Sequence, residues 1–161
     1  MNKKIIYIDM DGVLADFGMA AALHPLRKNK EYKGHPDHIP GIFSTLQPMP
    51  GAVEAFNTLA EKYDVYILST APWDNPSSWT DKRLWVEKWL GKHATKRLIL
   101  SHHKNLNKGD YLIDDMGGSD RGQTTFEGEW IHFGSKDFPN WDVVLDYVIS
   151  NIEHHDVETV S

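Results

Sequence analysis

The chain is predicted to fold as an α/β domain, a doubly wound parallel sheet carrying a small helical insertion. Three observations predict this: short apolar runs recur along the chain, segments with helical spacing separate them, and one stretch, residues 16–48, breaks that rhythm.

The first run, Ile5-Ile6-Tyr7-Ile8, is continuous, β-branched and aromatic, which suits a strand buried on both faces of a parallel sheet. The same texture returns at residues 65–68, 98–100, 111–113 and 130–133, so five short strands are expected. Between them Val53, Phe56, Leu59 and Ala60 share one helical face, as do Leu84, Trp85, Lys88 and Trp89, and then Val143, Val144, Tyr147 and Val148. Gly91 is expected to stop the second helix and Asn140 to cap the third. Strands alternating with helices imply βαβ units.

Residues 16–48 are alanine-rich, then rich in lysine, histidine and proline, with no strand-like run. They are assigned to a small, largely helical insertion. Gln47-Pro48-Met49-Pro50-Gly51 marks its return to the core, because two prolines and a glycine stop regular structure. The core is therefore expected in residues 1–15 and 49–161, and the polar tail after Ile152 is expected to fray.

Composition narrows the function. A formal charge of −6 and a pI near 5.8 offer no basic face for a polynucleotide, although one phosphate on a small molecule needs only local positive charge. With no cysteine in the chain, disulfides and thiolate metal sites are excluded, which fits a reducing compartment. The opening Met1-Asn2-Lys3-Lys4 leads into only four apolar residues before Asp9, too short for a signal peptide. No apolar run approaches the roughly 20 residues that cross a bilayer. A cytoplasmic protein without a membrane partner is expected.

Chemistry is concentrated at the ends of the expected strands. Asp9-Met10-Asp11-Gly12-Val13 follows the first, where a turn permitted by Gly12 lets two carboxylates converge. Ligands of open parallel sheets bind beyond the carboxyl ends of the strands. Ser69-Thr70-Ala71-Pro72-Trp73 follows the second run, and a hydroxyl with successive backbone N–H groups there can bind phosphate oxygens. Lys104 follows the third, and Asp114-Asp115 ends the fourth, an acid pair that is costly after an apolar strand unless it meets a cation or hydrogen-bond donors. Each feature alone reads as an ordinary turn or solvated charge. Together they supply an oxygen nucleophile, a second acid, a cation for the substrate and hard oxygen ligands for Mg²⁺.

In order and residue type these four motifs resemble those of the haloacid dehalogenase (HAD) superfamily of phosphatases. Within it the chain is similar to the 5'(3')-deoxyribonucleotidase family, in residues 9–16, 48–55, Thr70-Ala71-Pro72, 82–91 and Leu112-Ile113-Asp114-Asp115. The resemblance implies a HAD-like Rossmannoid core and an aspartyl-phosphate mechanism, with Asp9 as nucleophile and Asp11 as general acid and base. It also implies that Thr70, Ala71, Lys82 and Lys104 bind the phosphate. Asp9, the Asp11 backbone carbonyl and Asp114 would hold Mg²⁺, with Asp115 nearby, and residues 16–48 would form the cap over the base. The sequence departs from the family pattern at Ala71, where serine is usual, at His102, where arginine is usual, and at Met116-Gly117-Gly118, which stands in place of Arg-Pro.

The expected substrate is a small phosphate monoester, a (deoxy)ribonucleoside monophosphate, with Phe17, Phe43 and Trp73 offering aromatic surface to the base. A phosphatase for another small phosphorylated metabolite is the near alternative. A phospho-accepting receiver-like signalling domain uses similar residues in another order and has no place for residues 16–48. A homodimer is left open by the sequence. The nine histidines show no zinc-protease spacing and are read as surface residues, and Trp79, Trp85, Trp89 and Trp141 as packing residues.

Overall fold

The computed structural model describes residues 2–160, and side chains through residue 158. Five parallel strands, β1 (Ile5–Ile8), β2 (Asp64–Ser69), β3 (Leu98–Leu100), β4 (Tyr111–Asp114) and β5 (Glu129–His132), form one sheet in the order β3-β2-β1-β4-β5. The expected strands are all present, with the last beginning and ending one residue earlier than predicted. Strand order reverses between β1 and β4. That switch point is where open α/β sheets place their ligands.

Helices α2 (Ala52–Lys62), α3 (Ser77–Leu90) and α4 (Trp141–Val160) connect or follow the strands, while α1 (Phe17–Leu23) lies in the insertion. Along β1 the side chains alternate between faces. Ile6 and Ile8 join the main core with Phe56, Leu59, Trp85, Val144 and Val148, and Tyr7 joins a smaller cluster with Leu68, Leu112 and Phe126. Asn140 caps α4 as expected, its side chain accepting from the Val143 N–H at 3.0 Å. Gly91 follows α3 with φ +62°.

Three expectations need correction. The buried face of α3 runs through Ser78, Lys82, Trp85, Val86 and Leu90, whereas Leu84 is 54% exposed. Lys82 pulls the face round, because its charge is satisfied inside. Residues 16–48 hold only the seven-residue α1 and two short 3-10 turns, Pro36–His38 and Ile42–Ser44, among other turns. Repeated Pro, Gly and His residues interrupt helical spacing there. The tail after Ile152 does not fray as predicted but continues α4 to Val160, where His154 and Glu158, one turn apart, approach to 3.0 Å.

The two ends of the insertion are held side by side at the sheet. Asp16 N–H donates to the Gln47 carbonyl at 2.7 Å and Met49 N–H to the Leu14 carbonyl at 2.8 Å. Two tryptophans, read above as packing residues, fasten this junction: Trp141 Nε1 donates to the Val13 carbonyl at 2.8 Å and Trp85 Nε1 to the Leu46 carbonyl at 2.9 Å. The loop after β1 is thereby tied to the core on one side and to the insertion on the other.

Candidate active site

Asp9 lies one residue beyond β1, and its N–H donates to the Ile113 carbonyl of β4 at 2.9 Å. The Met10 carbonyl then accepts from Leu14 and Ala15 at 2.9 and 2.8 Å, which folds the chain back so that Asp11 also faces the strand ends. Gly12 sits at φ +78°, and a Cβ there would come within 2.0 Å of Asp115 Oδ2. Only glycine lets the two acid pairs approach this closely.

Asp9, Asp11, Thr70, Lys104, Asp114 and Asp115 line one cavity of about 750 Å³, which Phe17 and Phe43 enter from the insertion. Lys104, 2% exposed, donates to Asp9 Oδ1 at 3.0 Å and to Asp114 Oδ2. Burial alone would lower Lys104, but Asp9 and Asp114 outweigh it and hold the ammonium above its ordinary value. For Asp114 burial and then the Asp9 charge push the carboxyl up, against the pull of Lys104. Burial, followed by the Asp9 charge, raises Asp115 to about 7.

One carboxylate oxygen from each of Asp9, Asp114 and Asp115 lies within 4.8 Å of the others. Three acids concentrated at a largely buried site, with Lys104 as the one ammonium paired with them among the described residues, form a hard oxygen set that fits Mg²⁺. Asp11 Oδ1 is buried with no hydrogen-bond partner among the described residues.

Thr70 lies at the cavity, its hydroxyl donating to the Ser101 carbonyl at 2.8 Å. Ala71 is fully buried between Thr70 and Pro72, and without a side-chain donor it offers only its backbone N–H. The structure does not bring Trp73 to the cavity. It is 77% exposed and sets its ring edge-on to His102 at 6.2 Å, because the chain turns outward after Pro72. His102 accordingly lies between Trp73 and Trp79.

Lys82 is also placed differently from the phosphate contact that the resemblance implies. It is fully buried and absent from the cavity lining, with Nζ 2.6 Å from Asp11 Oδ2, 2.8 Å from Ser69 Oγ and 4.6 Å above the Phe43 ring. The lysine therefore fixes one oxygen of Asp11 and leaves the other unpaired. Replacing Lys82 with methionine, which keeps length and removes charge, strands the Asp11 carboxylate. The expected result is a stability loss of about 1–3 kcal/mol in urea unfolding, together with a fall in kcat.

Sequence reasoning missed Gln123. It is buried, donates to Asp114 Oδ1 at 3.1 Å, and accepts from the Arg121 N–H. The Arg121 carbonyl in turn accepts from Lys104 N–H at 2.7 Å, so the loop after β4 steadies both Lys104 and Asp114. Nothing in the local sequence marks it, since a glutamine in a glycine-rich loop has no periodicity.

Comparison with known proteins identifies the family and the fold. The family model described as 5' nucleotidase, deoxy (pyrimidine), cytosolic type C protein matches residues 35–138. An assigned 5'(3')-deoxyribonucleotidase of Vibrio phage KVP40 is 54% identical over 149 residues, covering 92% of this chain and 86% of its own. The chain belongs to the 5'(3')-deoxyribonucleotidase family. It is accordingly a phosphoric monoester hydrolase. Another relative assigned to the family, from Staphylococcus aureus, is 32% identical over 183 residues, covering 95% of this chain and 99% of its own. The fold is that of the HAD hydrolases: the crystal structure of an assigned HAD-hydrolase, YfnB from Bacillus subtilis, bound to magnesium, aligns with a TM-score of 0.55 over 87% of this chain and 90% of that one, at 14% identity. For this family member, Asp9, Asp11, Thr70, Lys104 and Asp114 occupy one cavity at the switch point.

Proposed function

We propose that the chain hydrolyses nucleoside monophosphates, preferring pyrimidine deoxynucleotides, through an aspartyl-phosphate on Asp9 with Mg²⁺ as cofactor. The observation that carries this reading is the convergence of Asp9, Asp11, Thr70, Lys104 and Asp114 on a cavity that two stacked aromatic rings also enter. Phosphoryl transfer asks little beyond a placed nucleophile and neutralised charge.

Asp9 attacks phosphorus in line, while Asp11, steadied by Lys82, protonates the departing ribose oxygen. Asp11 then accepts a proton from the water that cleaves the acyl phosphate. Lys104 holds the Asp9 and Asp114 carboxylates in place and neutralises phosphate charge alongside Thr70. The Asp9 and Asp114 side chains and the Asp11 backbone carbonyl would hold Mg²⁺, which supplies Lewis-acid stabilisation of phosphate charge when bound.

Base recognition is assigned to Phe17 and Phe43, whose rings stack at 5.3 Å and 19°. Phe43 is packed into the core, leaving Phe17 as the adaptable surface. Stacking contributes about 1–3 kcal/mol per base. Phe17→Ala is therefore expected to raise KM for a pyrimidine deoxynucleotide about five- to a hundredfold, with little change for p-nitrophenyl phosphate, and Trp73→Ala to leave both near wild type. Equal losses on the two substrates in Phe17→Ala would remove the base-pocket assignment and leave the phosphatase chemistry standing.

A further inference from the structure

His35, Asp37 and His38 form a second cluster of metal-ligating groups, separate from the strand-end acids. Pro36–His38 is a single 3-10 turn with His35 immediately before it. Residues three apart eclipse one another in such a turn, and the His35 and His38 rings accordingly stack at 4.9 Å and 12°. One nitrogen from each ring and one Asp37 oxygen lie within 4.8 Å of one another.

The backbone beneath them is fixed from the core. Asn75, 2% exposed, donates through Nδ2 to the Asp37 carbonyl at 2.9 Å and the Ile39 carbonyl at 3.0 Å. Its Oδ1 accepts from Ser77 Oγ at 2.6 Å, and Pro36 restricts the turn further. Among the described residues neither the His35 ring nor the Asp37 carboxylate has a hydrogen-bond or ion-pair partner. His38 Nε2 lies 3.9 Å from Asp74 Oδ2 in the loop after β2.

Two imidazoles and one carboxylate make a borderline-soft set of three ligands, which selects zinc over magnesium. We propose that His35, Asp37 and His38 bind a zinc ion at the rim of the cavity, with water or Asp74 in the fourth position. Tetrahedral zinc with ligands at about 2.0–2.2 Å sets them about 3.3–3.6 Å apart. Binding therefore requires the two stacked imidazoles to rotate out of parallel on the fixed turn so that their nitrogens converge. Because His35 and Asp37 line the cavity, the ion pins its outer wall, and with Asp74 as fourth ligand it also ties that wall to the loop after β2.

The test is zinc titration of the metal-free protein against a chromogenic chelator, in excess Mg²⁺ so that magnesium occupies the all-oxygen cluster. One zinc per chain is expected for wild type and for Asp114→Asn. His35→Ala and His38→Ala should each weaken binding by at least about tenfold. Neither His35 nor His38 is buried, so both variants should keep the wild-type far-ultraviolet circular dichroism, and zinc should raise Tm in wild type but not in them. Zinc binding in both histidine variants equal to wild type, or no binding to wild type at micromolar zinc, would overturn the proposal. Neither readout depends on phosphatase activity.

Discussion

Asp9→Asn is expected to lower phosphate release to background, a loss of at least about 10³-fold, while the fold persists. The substitution preserves shape and removes the attacking charge. It also removes the charge of one of the two carboxylates that share Lys104, but the amide oxygen can still accept from the ammonium, so the apo protein should lose little stability. The contrast with Asp11→Asn separates the two acids. Asparagine at 11 can neither protonate the leaving oxygen nor activate water, yet Asp9 can still attack an activated ester with a good leaving group, and a mass increase of one phosphoryl group should then be seen in the intact protein. A wild-type rate in either variant contradicts its assigned role.

Chelation is expected to abolish activity, and Mg²⁺ to restore it. The pH dependence follows from the acid cluster. Asp115 is raised from 3.8 to about 7 by burial and the Asp9 charge, so the folded chain binds more protons than the unfolded one across that window. In metal-free protein, the stability contributed by the protonated form is full below the ordinary carboxylate range and lost as pH rises through about 7. A cation reverses this, because it favours the charged form. Thermal unfolding with and without Mg²⁺ should therefore show a larger magnesium-induced rise in Tm at pH 8 than at pH 6, with protons released on binding. A magnesium effect independent of pH would remove Asp115 from the metal's surroundings.

The sheet was legible because its strands leave short, unbroken apolar runs: the central, largely buried Ile5–Ile8 and the half-buried edge strand Leu98–Leu100 both fall at their predicted bounds. That the strand-end acids, Thr70 and Lys104 would lie near one another was legible for a related reason: parallel strands share a direction, so their carboxyl ends fall at one end of the sheet. What failed was whatever depends on a partner distant in sequence. Lys82 reads, through the family resemblance, as a phosphate-binding lysine until Asp11, 71 residues away, is seen beside it. Trp73 follows the phosphate loop in sequence but turns outward past Pro72, and local order carries no sign of that turn. Gln123 and the Asn75 clamp on the His35–His38 turn are likewise tertiary facts, invisible to periodicity.

In the proposed reading this cavity hydrolyses nucleoside monophosphates with Asp9 as nucleophile. The most direct measurement is phosphate release in Mg²⁺ from a panel of deoxynucleoside monophosphates and sugar phosphates, with wild type and Asp9→Asn side by side. Wild type should cleave pyrimidine deoxynucleotides with kcat/KM at least about tenfold above any sugar phosphate, in keeping with one stacked base, and Asp9→Asn should release none. Sugar phosphates cleaved as fast as nucleotides, or turnover surviving in Asp9→Asn, would contradict it.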